Sequence, residues 1–275
     1  MKKSVEKEIQ RYLLNGEHDA SFLGWPGDDF MACAQHGHAA LLEALISMVR
    51  ERTTHATVPT ALANMDVVTW TRAKVAPMVR GLFPRREHEA VLDVLGRSVV
   101  FLTPANIETV LREMRWLGTA WDLANLYLES FGAELLSKDA PRIVGLSDEM
   151  TCYVSADYFR EESRFDDFVV HEAAHIFHNC KRRTIGPREI RRREWLLEID
   201  FVKRETFAYC CEAYSRILAL GGGPSDRKIL LSEREKGMRL SGDRVDVAEY
   251  FDILREAVAA RNGWQRILAR CSLSR

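Results

Sequence analysis

Along the first half of the chain, apolar and polar residues alternate with the period of α-helices. Apolar side chains recur at three- and four-residue intervals in the segments 38–52, 61–83, 88–102 and 119–131. Each of these segments is long enough for several helical turns, and neither repeats nor low-complexity tracts interrupt them. We therefore expect residues 1–140 to form a helical N-terminal domain.

The pattern changes after residue 140, where two short segments are rich in β-branched and aromatic side chains. RIVGLS occupies 142–147 and TCYVSADYF occupies 151–159, and the turn-forming sequence SDEM lies where they meet. These segments predict two strands of a small antiparallel sheet. We place a boundary near residue 140 and assign residues 141–275 to a second domain.

Helical patterns return after the predicted strands. Asp166 is a suitable N-cap residue for a helix over 167–179, and a later helical pattern ends at Leu220, directly before three glycines. Two further helices are predicted in the segment 247–268. The fold class that follows is mainly α (α+β), with a helical N-terminal region before a core that contains the small sheet and the helix over 167–179.

Composition indicates in which cellular environment the protein is expected and in which state its cysteines are expected. Its 275 residues are 47% hydrophobic, and no stretch reaches the roughly 18 to 20 apolar residues of a membrane span. The first residues lack the apolar run of a secretory signal, so a cytoplasmic protein without membrane contact is expected. Six scattered cysteines without a CxxC pair predict small buried side chains rather than disulfides or a zinc ribbon.

Charge gives little reason to expect nucleic acid as a partner. The formal net charge is −1, so no global field favours an anionic ligand. A basic run, KRRTIGPREIRRR over 181–193, contains no aromatic residue on which a base could stack. Such runs are typical of solvated surface or of basic side chains paired with nearby acids.

The strongest chemical signal is VVHEAAHIFHN at 169–179, which places three histidines and one glutamate in an apolar helix. His171, Glu172 and His175 fit the pattern H-E-x-x-H, in which residues i and i+4 share one helix face. Both imidazoles can bind one ion, for which zinc is the natural choice, and Glu172 can act as general base toward a bound water. The role of His178 stays open between metal ligand, supporting group and neutral polar residue.

This motif, a preceding strand and a later glutamate on a helix are similar to the zincin class of metallopeptidases, and within it to the gluzincins. The metzincin continuation HExxHxxGxxH is absent, because residue 178 is His and residue 181 is Lys. Over residues 142–220, the resemblance implies a zincin-like core with an active-site helix, a Zn²⁺ cofactor and a glutamate as third ligand. It also implies a peptide or protein substrate, which could add as a strand to an edge formed by Cys152–Phe159.

Four glutamates in the following segment are candidates for the third ligand: Glu194, Glu198, Glu205 and Glu212. Glu205 has mainly apolar neighbours at helical spacing, and a carboxylate in that setting needs a compensating partner such as a metal. Glu212 has polar neighbours, which favour a solvent-facing or ion-paired position, and Glu198 lies on a mixed surface. We expect Glu205 to be the third ligand.

The expected role of Glu205 depends on where its helix begins. A helix that started at Pro187 would carry Glu205 about 27 Å along its axis, beyond the histidines. Glu205 therefore reaches them only if residues 181–198 leave the helical path and the ligand helix starts near Asp200, a suitable N-cap. A continuous helix would instead favour one of the two earlier glutamates.

Together with the resemblance to the zincins, these residues predict hydrolysis of a peptide bond. In this hypothesis zinc polarises the scissile carbonyl, Glu172 moves a proton from water to the leaving amine, and Tyr209 stabilises the oxyanion. Tyr158, Tyr214 or an arginine are alternatives to Tyr209. A second hypothesis is a regulatory or sensor protein that uses the metal site for partner binding or limited proteolysis. A purely structural zinc site is disfavoured, because it has no need of a base at residue 172.

Overall fold

The computed structural model describes residues 2–159, 164–186, 193–237 and 245–273. These residues form twelve α-helices and one small mixed sheet of three strands, which confirms the predicted mainly α (α+β) class. Within these ranges, no helix combines the length and the apolar character that crossing a bilayer requires.

Most of the described residues lie in α-helices, and three short strands lie between the fifth and the eighth of these helices. The α-helices are α1 (Lys2–Asn15), α2 (Phe30–Arg52), α3 (Thr60–Ala63), α4 (Val67–Leu82), α5 (His88–Ser98), α6 (Ile107–Glu113), α7 (Leu117–Ser130), α8 (Phe168–Asn179), α9 (Arg204–Leu220), α10 (Pro224–Gly237), α11 (Val247–Ala259) and α12 (Gly263–Cys271). The strands are β1 (Val99–Phe101), β2 (Gly145–Asp148) and β3 (Thr151–Val154).

Strands β2 and β3 form an antiparallel hairpin where the sequence predicts two strands, although both are shorter than predicted. Ser147 pairs with Cys152 in this hairpin, and Asp148 pairs with Thr151 at its closed end. Glu149, in the connecting turn, has a φ of 49°. A positive φ at the first turn residue is what a two-residue hairpin connection requires, because it matches the twist of the strands.

The strand order β1–β3–β2 corrects two sequence-based predictions. The segment Cys152–Phe159 is not an edge strand: β3 lies between the other two strands, and Ala156–Phe159 form a 3-10 turn. Within the hairpin, β2 is the strand that lies at an edge of the sheet. The segment 88–102 is not one helix either, because α5 ends at Ser98 and the β-branched pair Val99-Val100 begins β1.

Residues Met1–Asn64, Phe101–Val144 and Ser155–Arg160 form one compact unit. Helix α1 is held against α7 through Tyr12, whose hydroxyl donates a 2.8 Å hydrogen bond to the Leu117 carbonyl. The indole of Trp121 on α7 donates in return to the carbonyl of Leu13 over 3.1 Å. Both rings are therefore buried with their polar atoms paired, which is the usual condition for burying Tyr and Trp.

Residues Met65–Val100, Gly145–Val154 and Glu161–Arg275 form a second compact unit. Helix α8 is largely buried in it and packs against α9 and the β2–β3 hairpin. Phe177 on α8 contacts Phe83 and Phe207, with ring centroids 5.2 and 6.4 Å away. Contacts thus group residues 65–100 with the second half of the chain, while the division into domains 1–140 and 141–275 stays a prediction.

All six cysteines are free thiols, as the sequence predicts. Cys33 on α2, in the first compact unit, is partly exposed. The other five are buried in the second compact unit, and burial raises the pKa of each thiol: Cys152, Cys180, Cys210, Cys211 and Cys271.

Candidate metal centre

Helix α8 begins one residue later than predicted. Asp167, not Asp166, is the N-cap, and its side chain accepts a 3.3 Å hydrogen bond from the backbone N–H of Val170. Asp166 instead pairs with Arg234, with Nη2 and Oδ1 2.9 Å apart. From this start, the HExxH motif lies within a single helical stretch, so His171 and His175 stand one turn apart on the same face.

The chain between α8 and α9 leaves the helical path, as the assignment of Glu205 requires. The Leu197 N–H donates a 2.8 Å hydrogen bond back to the Phe177 carbonyl, so this segment returns to the end of α8. Asp200 then accepts from the Val202 N–H over 3.1 Å and caps a short 3-10 turn that leads directly into α9. This confirms a helix start near Asp200 and puts Glu205 in the first turn of α9.

Three side chains from α8 and α9 meet at one point. His171 Nε2 lies 3.3 Å from His175 Nε2, and the Glu205 carboxylate oxygens lie 3.8 Å from the first and 3.7 Å from the second. One ligand atom of each residue lies within 4.8 Å of the other two. Ligand atoms about 2.1 Å from a tetrahedral ion lie roughly 3.4 Å apart, so His171, His175 and Glu205 could hold a metal ion.

Hydrogen bonds to the outer ring nitrogens decide which nitrogens face this point. His171 Nδ1 lies 3.3 Å from Glu212 Oε2 and must carry the proton, because a carboxylate only accepts. His178 Nδ1 likewise donates to Asn179 Oδ1 over 2.9 Å. His178 Nε2 therefore accepts, over 3.0 Å, from His175 Nδ1. Both Nε2 atoms are left facing each other with their lone pairs.

Two lone pairs 3.3 Å apart repel each other, so a proton or a cation is needed between the rings. Burial lowers the pKa of His171, but the carboxylates of Glu205 and Glu212 outweigh it and raise this pKa to about 10. Burial and the charge on His171 lower the pKa of His175 to about 3. The donor set of two imidazole nitrogens and one carboxylate thus fits a metal cation.

Glu172 lies beside this point and is not one of the three candidate ligands. It is buried, and its Oε2 accepts a 2.5 Å hydrogen bond from the Ser147 hydroxyl on β2. Burial raises the pKa of Glu172, the charge of His171 and the Ser147 hydroxyl act against this, and the charges of Glu205 and Glu212 add to it. The raised pKa is the condition that general bases in active sites commonly meet.

Glu212 has a role that the sequence interpretation missed. It is not solvent-facing: only 2% of the residue is exposed. Its Oε1 accepts a 2.6 Å hydrogen bond from the Asp167 N–H, and its Oε2 accepts from His171 Nδ1. Asp167 also forms a 2.7 Å ion pair with Lys74. Glu212 therefore ties the start of α8 to the first histidine, because both present N–H groups that are buried from water.

The other candidates for the third ligand have partners elsewhere. Glu194 forms a 2.5 Å ion pair with Lys181, and Glu198 accepts from the Trp195 N–H over 3.1 Å. In the basic run, Arg182 is buried and pairs with Glu87 at 2.8 Å, which agrees with the expectation of acid-paired basic side chains. Residues 187–192 of that run lie outside the described residues.

The predicted oxyanion donors are distributed over the molecule. The ring of Tyr209 lies against His171, with centroids 4.5 Å apart and planes at 72°. Tyr214 packs on Trp264 with centroids 4.8 Å apart, and Tyr158 belongs to the first compact unit. Tyr209 is thus in contact with a candidate metal ligand, while its role as oxyanion donor stays a prediction.

Comparison with known proteins adds no relative to this picture. No protein-family model, no curated protein and no solved structure matches the chain.

Proposed function

We propose that this protein is a zinc-dependent metallopeptidase in which His171, His175 and Glu205 bind zinc and Glu172 is the general base. The observation that carries the proposal is the convergence of the three ligand atoms within 4.8 Å, next to a buried carboxylate outside the ligand set. Burying a carboxylate costs free energy, and a purely structural metal site has no use for one at this position.

Zinc is the ion that the donor chemistry favours. Neutral imidazole and carboxylate are common zinc ligands, and three protein ligands with an open fourth position characterise catalytic rather than structural zinc sites. When bound, zinc supplies Lewis acidity that polarises a carbonyl group and lowers the pKa of water.

Glu172 and Tyr209 supply the proposed acid–base and oxyanion functions. Glu172 takes a proton from water and passes it to the leaving amine, a task for which its raised pKa suits it. Tyr209, in contact with the ring of His171, is the proposed hydrogen-bond donor to the developing oxyanion.

The proposed substrate is an extended peptide segment that pairs with the edge of β2. The 3.1 Å hydrogen bond from Ser155 N to Val144 O sets the alternation in the hairpin. In that alternation the backbone N–H and C=O groups of Gly145 and Ser147 point away from β3. A peptide that bonds to these groups adds a strand to the sheet next to Glu172.

Metal analysis and peptide hydrolysis by the purified protein and its Glu172→Gln variant test this proposal. We expect about one zinc per chain in both proteins, and a loss of hydrolysis of at least about 100-fold in the variant. Glu51→Gln, at an exposed position of α2, is the matched control and should change neither quantity. Absence of zinc from both proteins, or hydrolysis unaffected by Glu172→Gln, contradicts the proposal. Zinc without hydrolysis in the wild type favours the regulatory or sensor function.

A further inference from the structure

Strand β2 holds the side chain of Glu172 through two of its residues. The Ser147 hydroxyl lies 2.5 Å from Glu172 Oε2 and 3.3 Å from the Glu172 carbonyl oxygen. A Cβ atom added to Gly145 would lie 2.8 Å from both Oε1 and Cγ of Glu172, closer than real Cβ atoms approach their neighbours. The carboxylate therefore lies between a hydrogen-bond donor and a position that only glycine can occupy without displacing it.

The two carboxylate oxygens of Glu172 are not equivalent in this arrangement. Oε2 is engaged by Ser147, whereas no hydrogen bond to Oε1 is found among the residues that the structure describes. One oxygen is thus anchored to the strand, and the other is left for a proton. Because a Glu side chain has three rotatable bonds, an anchor at one oxygen removes most of the freedom of the other.

The pleat of β2 explains why residues 145 and 147 both hold Glu172 and present backbone groups to a peptide. Side chains at positions 145 and 147 project to one face of the strand, where they meet Glu172 on α8. The backbone groups of these two residues are also the ones that point away from β3. The same short strand therefore sets the position of the Glu172 side chain and of a peptide bound along its edge.

We infer that Ser147 is a positioning residue for Glu172: its hydroxyl fixes Oε2 against β2, in the space that Gly145 leaves, and so holds Oε1 at a set distance from a peptide paired with the same strand. This inference rests on the proposed metallopeptidase function. Among the described residues, the hydrogen bonds of the Ser147 hydroxyl go to Glu172 and Cys152, and none to His171, His175 or Glu205. The inferred contribution of Ser147 is therefore to proton transfer and not to metal binding.

Steady-state kinetics of Ser147→Ala, Ser147→Thr and Gly145→Ala test the positioning role. A hydrogen bond to a charged group corresponds to about 10- to 100-fold in rate, so kcat should fall by this factor in Ser147→Ala with KM within about twofold of wild type. Ser147→Thr keeps the hydroxyl and should restore kcat, whereas Gly145→Ala should lower it. Zinc content should stay the same in all variants, and the exposed Ser232→Ala variant is the control.

Thermal unfolding of the metal-free protein gives a readout that does not depend on activity. Ser147→Ala should lower the midpoint by about 3 °C or more in the wild type, but by less than about 1 °C in a Glu172→Leu background, where the acceptor is absent. Additive losses, or an unchanged kcat in Ser147→Ala, overturn the inference. If the wild type binds zinc and hydrolyses no peptide, the proposed function fails, and the unfolding measurements alone decide whether Ser147 holds Glu172.

Discussion

Replacing Glu212 by glutamine tests whether this buried carboxylate supports the candidate metal centre. Glu212 accepts two hydrogen bonds, one from the Asp167 N–H and one from His171 Nδ1, and it is shielded from water. Glutamine keeps the size of the side chain but has one acceptor oxygen and one NH2 donor. It can therefore satisfy one of the two N–H groups, and it directs a donor at the other.

Two losses follow from this geometry. Hydrogen bonds to charged groups contribute about 1.5–3 kcal/mol each, so the free energy of unfolding of the metal-free protein should fall by an amount in this range. Loss of the carboxylate that orients a metal-ligating histidine lowers metal affinity by about 10- to 100-fold, which corresponds to about 1.4–2.8 kcal/mol. Both effects should appear in Glu212→Gln and neither in the control Glu51→Gln.

Competition against a chromophoric chelator measures zinc affinity, and urea unfolding in the presence of EDTA measures the stability of the metal-free protein. Zinc affinity reports on the bond to His171, whereas the stability of the metal-free protein reports on both hydrogen bonds of Glu212. A zinc affinity for Glu212→Gln within about twofold of wild type refutes the assignment of Glu212 as the group that orients His171, whatever the change in stability.

Three further predictions concern the same region. Glu205→Ala should lower zinc affinity by more than the roughly 100-fold limit for an indirect group, and zinc retained fully after dialysis moves the third ligand elsewhere. His178→Phe removes the acceptor for His175 Nδ1 and should weaken zinc binding by about 10-fold in isothermal titration, whereas His178→Gln, which keeps an acceptor, should bind nearly as wild type. Asp167→Ala removes the cap of α8 and the Lys74 ion pair, so the free energy of unfolding in urea should fall by about 1–2 kcal/mol. Asp167→Asn still caps the helix, so the free energy of unfolding should fall by less.

The parts of the site that depend on helical spacing were predictable from the sequence. The period of the α-helix alone brings His171 and His175 to one point, so the five-residue motif is enough to predict that they lie together. Glu205 needed one more argument, namely that a helix starting early would carry it past the histidines. That argument predicts a start near Asp200, and the observed cap confirms it.

The parts that depend on packing between distant segments were not predictable. Glu212 has polar sequence neighbours, and its burial arises only when α9 lies against the N-terminus of α8. Ser147 has no local signal for a contact with Glu172, because that contact follows from the placement of β2 beside α8. The central position of β3 depends on β1, some 50 residues earlier in the chain.

The distribution of exposed and buried thiols allows opening of the second compact unit to be followed by chemical labelling. Cys33 is the partly exposed cysteine, whereas the other five are buried in the second compact unit and have raised pKa values. A maleimide should therefore modify one thiol rapidly in the native state and the remaining five only as that unit opens. Counting labelled thiols by mass spectrometry over time, with and without zinc, would measure how often the unit that contains the candidate metal centre opens, with no engineered probe.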